Sequence, residues 1–570
     1  MKADSRNKPV VKKLDSEPYR SLGISSIVAV ATAALLLPYF RFSAVEIAKS
    51  GLFIDDAYFY TILAKNFRNL GHLTLDGDMI TNGVQPLWMA VQIVLGYIFP
   101  ETDGVIIAAR LSAVTYVLFA FALIWLINRK AHRSGLAVTA AVSFFIILNG
   151  EFHKWVLKGL ETPIALLMVV LTLLAFDSYR KKLLAAKKPA FLPMSILLGF
   201  LSAMAFFART DMFWIAVVIF AWMIIEERRI SWNIIAFSAI IALMVAPYLL
   251  FNYNTAGGLM PISGRVKLFY LESTFPTFAE YFSANQWSGM FYLFDRVFAF
   301  TYLPAGFYLR YLGILIVIAL SFCCLLRLRK EKIYPPWLNL LAVAVLFHIL
   351  FMHFIYKELR DYSAYYFAIE TLYFALFLGF SAKALLERAR ETSSPRKLLS
   401  EASAMRVLAV VLLLWSAADF GGRLLKRDFS EDSYWSERLK LAEDISRTVP
   451  EGEKVGAFWP GLFAHFSGRD IVPLDGIIGS EEYFENYVKH GRELEYLQEK
   501  GVKYLAVHLN RPLNHVGQID GLDHWAGRGE KLLRENPDFI RRQLSSRFIE
   551  ENSRAWYLFE IDSEYQFRGR

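Results

Sequence analysis

The chain has 570 residues, of which 55% are hydrophobic and 20% charged, and a mean hydropathy of +0.35. Its apolar residues fall in blocks near the ~20 residues that a bilayer-crossing helix needs, which excludes a wholly soluble protein. The net charge of +9 sits in short loops between apolar blocks, which fits basic inner loops rather than a nucleic-acid partner.

Residues 1–20 are a basic tail expected on the inner face, with Lys2, Arg6, Lys8, Lys12, Lys13 and Arg20. The block 21–39 runs outward and lacks a small-residue cleavage site, so it reads as a retained span. Residues 43–104 follow as the first outer loop. Within them, 86–99 give roughly 21 Å of helix, too short for a ~30 Å core, and are expected to lie in the outer leaflet. Spans are then expected at 105–127, 136–149, 163–176, 191–207, 213–225 and 234–251. After a long outer loop at 252–304 come 308–326, 337–356, 365–384 and 407–418. Basic clusters such as Arg129, Lys130 and Arg133, or Arg228 and Arg229, mark the inner turns. The total is about eleven transmembrane helices, with the N-terminus inside and the C-terminus outside.

Past Arg423 charges become frequent and the apolar runs shorten. KVGAFW at 454–459, VKYLAVHL at 502–509 and AWYLFEID at 555–562 read as strands. SEEYFENYVKHGRELEYLQEKG has helical spacing and stops at Gly501. Residues 422–570 are therefore expected to form a small α/β domain with a partly parallel sheet, outside the membrane. The chain has two cysteines, Cys323 and Cys324, adjacent in an apolar block, which make neither a disulfide framework nor a zinc site. No Gly-rich phosphate loop follows a strand, so a nucleotide-sugar donor has no support.

Specific polar residues concentrate on the outer side, in IDDAYFY, TNGVQPLW, EFHKWVLKGLETP, ARTD, GGLMPISGRVK and KELRDY. An N-cap explains one member of the pair Asp55 and Asp56, not both. Adjacent like charges raise one carboxyl pKa, which suits a general base. Asn82 and Gln85 each offer a donor and an acceptor to sugar hydroxyls; an Asn-Gly turn is the alternative for Asn82. Glu161 either orients substrate or is a helix N-terminal acid before Pro163. Arg265 and Lys267, in a loop after Pro261 and Gly264, could meet a phosphate or snorkel to lipid. Arg209 beside Asp211 reads equally as an anion site or a local ion pair, and Lys357 and Arg360 are further outer cations. His153 near Glu151 defines no metal set; no metal ligands are assigned, although a divalent cation is possible. Trp88, Trp155 and Trp214 fit sugar stacking or an interfacial aromatic belt.

IDDAYFYTILAKN after a first span, then TNGVQPLWM and KGLETP, resemble the GT-C glycosyltransferases, near the protein mannosyl- and arabinofuranosyltransferase branch. VGAFWPGLFAHFSGRDIVPLDG is similar to their outer C-terminal domain. The resemblance implies a GT-C transmembrane domain at 21–421. It also implies an inverting transfer of a sugar from a polyprenyl-phosphate donor to a glycan, lipid or protein acceptor, on the outer face of a prokaryotic cytoplasmic membrane. It implies that Asp55, the first acid of the pair, is the base. The competing expectations are a transporter or flippase, with Arg110 as the charged residue inside an apolar stretch, and a non-catalytic scaffold.

Overall fold

The computed structural model describes residues 17–129, 135–147, 149–185, 192–274, 335–354, 364–392, 418, 434–509, 528–549 and 554–565. The helices of the first part are α1 (Glu17–Leu36), α2 (Ala44–Lys49), α3 (Asp55–Leu70), α4 (Pro86–Ile98), α5 (Gly104–Asn128) and α6 (Gly135–Val142). Then come α7 (Gly150–Val156), α8 (Thr162–Ala185), α9 (Leu192–Ala208), α10 (Phe213–Glu227), α11 (Trp232–Ala256) and α12 (Ile262–Thr274). After 335 the helices are α13 (Pro336–Phe354), α14 (Ala368–Thr392) and α15 (Tyr434–Thr448).

Among the described residues, four helical segments are long and apolar enough to cross a membrane: Gly104–Asn128, Thr162–Leu184, Trp232–Ala256 and Tyr365–Ala384. Shorter apolar helices occupy Ser26–Leu36, Pro86–Ile98, Val138–Ile147, Leu192–Ala208 and Pro336–Met352. The expected total of eleven is not reached by this measure, and the expected spans at 308–326 and 407–418 lie outside the described residues. α4 is short, as expected of a helix in one leaflet, and leaves Val94, Tyr97 and Ile98 exposed while burying Gln92. Arg110 lies on an exposed surface and donates to the Phe40 carbonyl at 3.2 Å.

The expected loop at GGLMPISGRVK is a correction. The chain enters α12 at Ile262, so Arg265 and Lys267 project from the helix's first two turns. Pro261 starts the turn, its carbonyl accepting from the Gly264 and Arg265 amides.

The C-terminal part, referred to below by its expected outer side, contains β1 (Lys454–Ala457), α16 (Gly461–Phe466), β2 (Asp470–Pro473), α17 (Glu481–Asn486), α18 (Glu493–Glu499) and β3 (Tyr504–Leu509). It ends with α19 (Arg528–Glu535), β4 (Ile540–Ile549) and β5 (Arg554–Ile561). The five strands lie in the order β2-β1-β3-β5-β4. β1 runs parallel to β2 and β3, and β5 is antiparallel to β3 and β4. The expected partly parallel sheet is therefore present. Its extra strands were hidden by length, in β2, and by polarity and two register shifts, in β4. The helix expected across 480–501 is two helices separated by a 3-10 turn at Val488–His490.

The KGLETP turn fixes α3 in place. Lys158 donates to the Gly51 carbonyl at 3.1 Å, and the Trp88 indole donates to the Gly159 carbonyl at 3.2 Å. Gly159 adopts φ +80°, and a Cβ there would stand 2.8 Å from Ala57 and from the Phe53 ring. Only glycine allows both the left-handed backbone and that approach. Gly159→Ala is expected to cost about 1–3 kcal/mol, read as a lower thermal unfolding temperature of the detergent-solubilised protein.

Candidate active site

Asp55 and Asp56 are the first two residues of α3, and Ile54, not an aspartate, holds the N-cap position. Capping therefore accounts for neither. Their side chains diverge. Asp55 is 2% exposed and faces the outer part of the chain. Its carboxylate pairs with Arg438 of α15 and accepts from the Gly461 and Leu462 amides at 3.0 Å each. Arg438 is itself fully buried, stacked among Trp435, Phe463 and Trp556, and donates to the Trp459 carbonyl. Gly461 is required here, because a Cβ would meet the Asp55 carbonyl oxygen at 2.3 Å. A carboxylate can be buried this deeply because its lone pairs are filled.

Asp56 is half-buried and has no hydrogen-bonded or ion-paired side chain among the described residues. Burial pushes its pKa up; Lys267 opposes the rise and the Asp55 charge adds to it. A third carboxylate arrives from the outer domain. Asp475, just past β2, is buried and accepts from the Ile477 amide at 3.0 Å. Burial first, then the charges of Asp55 and Asp56, push it up to about 8.

Cations face this group from α12 and from the start of α10. Lys267 donates to the Tyr366 hydroxyl at 2.8 Å, and the Arg209 guanidinium stands 5.0 Å from the Tyr366 ring centre. Arg209 is held by Asp211 at 2.5 Å and lies 3.8 Å from Glu161, which accepts from the Tyr60 hydroxyl at 3.4 Å. Burial raises the Glu161 pKa against the pull of Arg209. Asp211, half-buried, is held well below the carboxylate range by Arg209 and by its bond to His348, against the opposing effect of burial. His348 of α13 contacts Asp211 through Nε2 at 3.3 Å and Glu370 of α14 through Nδ1. Arg209 thus ends a buried chain that runs Glu370, His348, Asp211. A narrow slot beside it is lined by Ala165, Leu166, Val169, Met212 and Ile369 as well as Arg209.

The other expected site residues divide into two groups. Gln85 is drawn in: its side-chain oxygen accepts from the Thr210 amide at 3.0 Å, beside Arg209. Asn82 is committed to structure, donating to Asn252 at 3.0 Å and accepting from the Ile262 amide at 2.9 Å. Arg265 ties α12 to the outer domain through Glu481 and Glu485 and stacks on Phe484. Arg360 and Lys357 lie outside the described residues. Trp88 is fully buried, and His153 packs edge-on against Tyr116 at 4.6 Å. No three His, Cys, Asp or Glu side chains among the described residues come together as a metal set.

Arg438, Asp475, His348 and Glu370 were not anticipated. His348 and Glu370 carried a readable signal, since ionisable residues inside apolar spans mark function or pairing. Arg438 and Asp475 carried none.

No protein-family model and no curated protein sequence matches the chain. Solved structures do. The archaeal oligosaccharyltransferase AglB from Archaeoglobus fulgidus, in complex with an inhibitory peptide and a dolichol-phosphate, superposes with TM-score 0.52 at 14% identity over 86% of this chain and 70% of that one. The apo form of the Archaeoglobus fulgidus oligosaccharyltransferase gives TM-score 0.50 at 14% identity, over 86% and 69%. ArnT from Cupriavidus metallidurans bound to undecaprenyl phosphate gives 0.49 at 11% identity, over 94% and 98%. The chain carries the GT-C fold. In this GT-C fold the acids cluster where α3 meets the outer domain, and the cations approach from the helices below.

Two predictions follow from the geometry. Arg438→Met strands a buried Asp55 and should cost about 3–5 kcal/mol, with residues 434–565 becoming protease-sensitive; adding Asp55→Asn should recover part of the loss. Asp475, with its folded pKa raised above its unfolded one, contributes stability that is fully present below about pH 4 and is lost as pH rises through about 8. Thermal melts should therefore show the wild type weakening between these limits, and Asp475→Asn should flatten that slope.

Proposed function

We propose that the protein is a membrane glycosyltransferase that moves a sugar from a polyprenyl-phosphate donor to an acceptor hydroxyl. The observation that carries this is the contrast within the Asp pair: Asp55 is saturated by Arg438 and two amides, whereas Asp56 stands unsatisfied opposite Lys267. We therefore assign the base to Asp56 and give Asp55 the task of holding it. The neighbouring structures were solved with dolichol-phosphate and undecaprenyl phosphate, which supports a lipid-phosphate donor here.

In the step proposed, Asp56 takes the proton of the acceptor hydroxyl as its oxygen attacks the anomeric carbon. The bond from that carbon to the phosphate oxygen breaks on the opposite face, so configuration inverts and the electron pair leaves with polyprenyl phosphate. Lys267 and Arg209 are the donors that meet the developing phosphate charge. Gln85, Tyr60 and Glu161 are the side chains assigned here to the sugar hydroxyls. Asp211 and His348 hold Arg209 in its aim. The Archaeoglobus fulgidus oligosaccharyltransferase has been crystallised with Zn and sulfate; here Arg438 pairs with Asp55, and Lys267 acts electrostatically on Asp56. A reaction at the outer face of a prokaryotic cytoplasmic membrane fits a donor whose tail stays in the leaflet. The acceptor is a glycan, a lipid or a protein bearing a free hydroxyl.

The test is transfer of radiolabelled sugar from a polyprenyl-phosphate-sugar pool by purified protein in nanodiscs. Asp56→Asn should lower the rate by about 10²–10⁴-fold while melting at or above the wild-type temperature, since no partner is lost. Asp55→Asn should instead lower the melting temperature. Full transfer by a folded Asp56→Asn protein would reject the assignment.

A further inference from the structure

A second polar cavity lies on the opposite side of α3. It encloses about 700 Å³ between α3, α4, the turn leading into α5, and the stretch from α16 to β2. At about 100° per residue, Asp56 and Tyr60 share one face of α3, and Thr61, Lys65 and Arg68 lie nearly opposite. The cavity is therefore distinct from the reacting carboxylate, although one helix serves both.

Its lining has three properties. First, Gln92 of α4 is 2% exposed, lines the cavity, and has a side-chain nitrogen with no hydrogen-bond partner among the described residues. A buried amide is held in that state at a cost unless something in the cavity answers it. Second, the guanidinium groups are already spent. Arg68 donates to the Gly96 and Pro100 carbonyls, and Arg469 to those of Ser446, Val449 and Gly468. They offer no converging cation cluster of the kind a phosphate needs. Third, the rest of the polar lining is of mixed sign, with Lys65 beside Asp76, Glu101, Asp103 and Asp470. Asp103 contacts His465 at 3.2 Å, and the other nitrogen of that ring lies 3.4 Å from the Thr61 hydroxyl. A polar lining of mixed sign and low net charge, with no converging cations, suits a polyhydroxylated ligand.

We infer that this cavity is a subsite for a short uncharged oligosaccharide; the choice of ligand class rests on the glycosyltransferase reading. The sugar reaches it either free or as the head group of a lipid, because α4, which forms one wall, turns Val94, Tyr97 and Ile98 outward.

The test uses the full chain in nanodiscs and hydrogen–deuterium exchange. The free probes are maltotetraose, cellotetraose and chitotetraose, with inorganic phosphate as the anionic comparison. In a second arm the nanodisc carries a glycolipid with a neutral tetrasaccharide head group. At least one sugar should slow exchange in residues 61–68, 92–104 and 464–471, and phosphate should not. Protection in the first arm identifies a free glycan, and in the second alone a lipid-borne one; either supports the subsite. Gln92→Leu, which removes the unanswered amide, should melt no lower than wild type yet weaken the sugar at least tenfold. Protection by no sugar, protection by phosphate, or equal affinity in Gln92→Leu overturns the inference. Transfer measured on the same preparation separates the two readings. Transfer without sugar protection sinks the subsite alone, and sugar protection without any transfer sinks the transferase alone.

Discussion

The buried pair between Asp55 and Arg438 is the interaction on which the rest of the arrangement depends. A carboxylate removed from water needs its oxygens filled, and here the outer domain fills them with one guanidinium and two backbone amides. The outer domain is thereby fixed against the start of α3. The same contact turns the next residue, Asp56, toward Lys267 and the membrane helices. Two adjacent acids thus take two different physical states from one helix turn: one neutralised by partners, the other kept basic by burial and by its neighbour's charge.

The cations below are held by a comparable device. Arg209 would be expensive alone at this depth, and Asp211 compensates it. Asp211 is in turn shared with His348, and His348 with Glu370. Each member pairs with the next, so the chain ends in one guanidinium, that of Arg209. Networks of this kind, once filled, give rigid aim in a low dielectric, where a misplaced donor loses most of its value. His348 and Glu370, ionisable residues within apolar helices, connect to Arg209 through Asp211.

Much of this was legible in the sequence, and the limits have physical causes. Apolar blocks and basic turns marked the membrane helices, and alternation with a Gly stop marked the outer α/β domain. Of the polar residues singled out, Glu161, Arg209 and Asp211 do meet in space, and Lys267 acts electrostatically on both Asp56 and Glu161. Local pattern does not carry distance, however. Arg438 pairs with a residue 383 positions earlier, and nothing around it distinguishes it from the other charges of an amphipathic helix. Asp475 likewise sits in an ordinary turn motif until the fold places two acids beside it. Conversely, Asn82 and Arg265 had the right chemistry at the right loop, yet the fold uses them to join α12 to its neighbours. A polar residue beside a site answers equally to substrate and to an orphaned backbone amide, and only geometry decides which.

The short helix α16 links the two halves of this picture. Its first amides bind Asp55 at the start of α3, and its His465 reaches Thr61 and Asp103 on the other side of that helix. α3 therefore lies between the proposed reaction site and the second cavity, with the same six residues of the outer domain touching both. The contact of His465 with Asp103 and the amides that hold Asp55 therefore belong to one short helix. Coupling between the two sides requires no large motion. It requires only that both contacts belong to one packed element, and the buried ring of Phe463 against Trp556 and the Arg438 guanidinium supplies that packing.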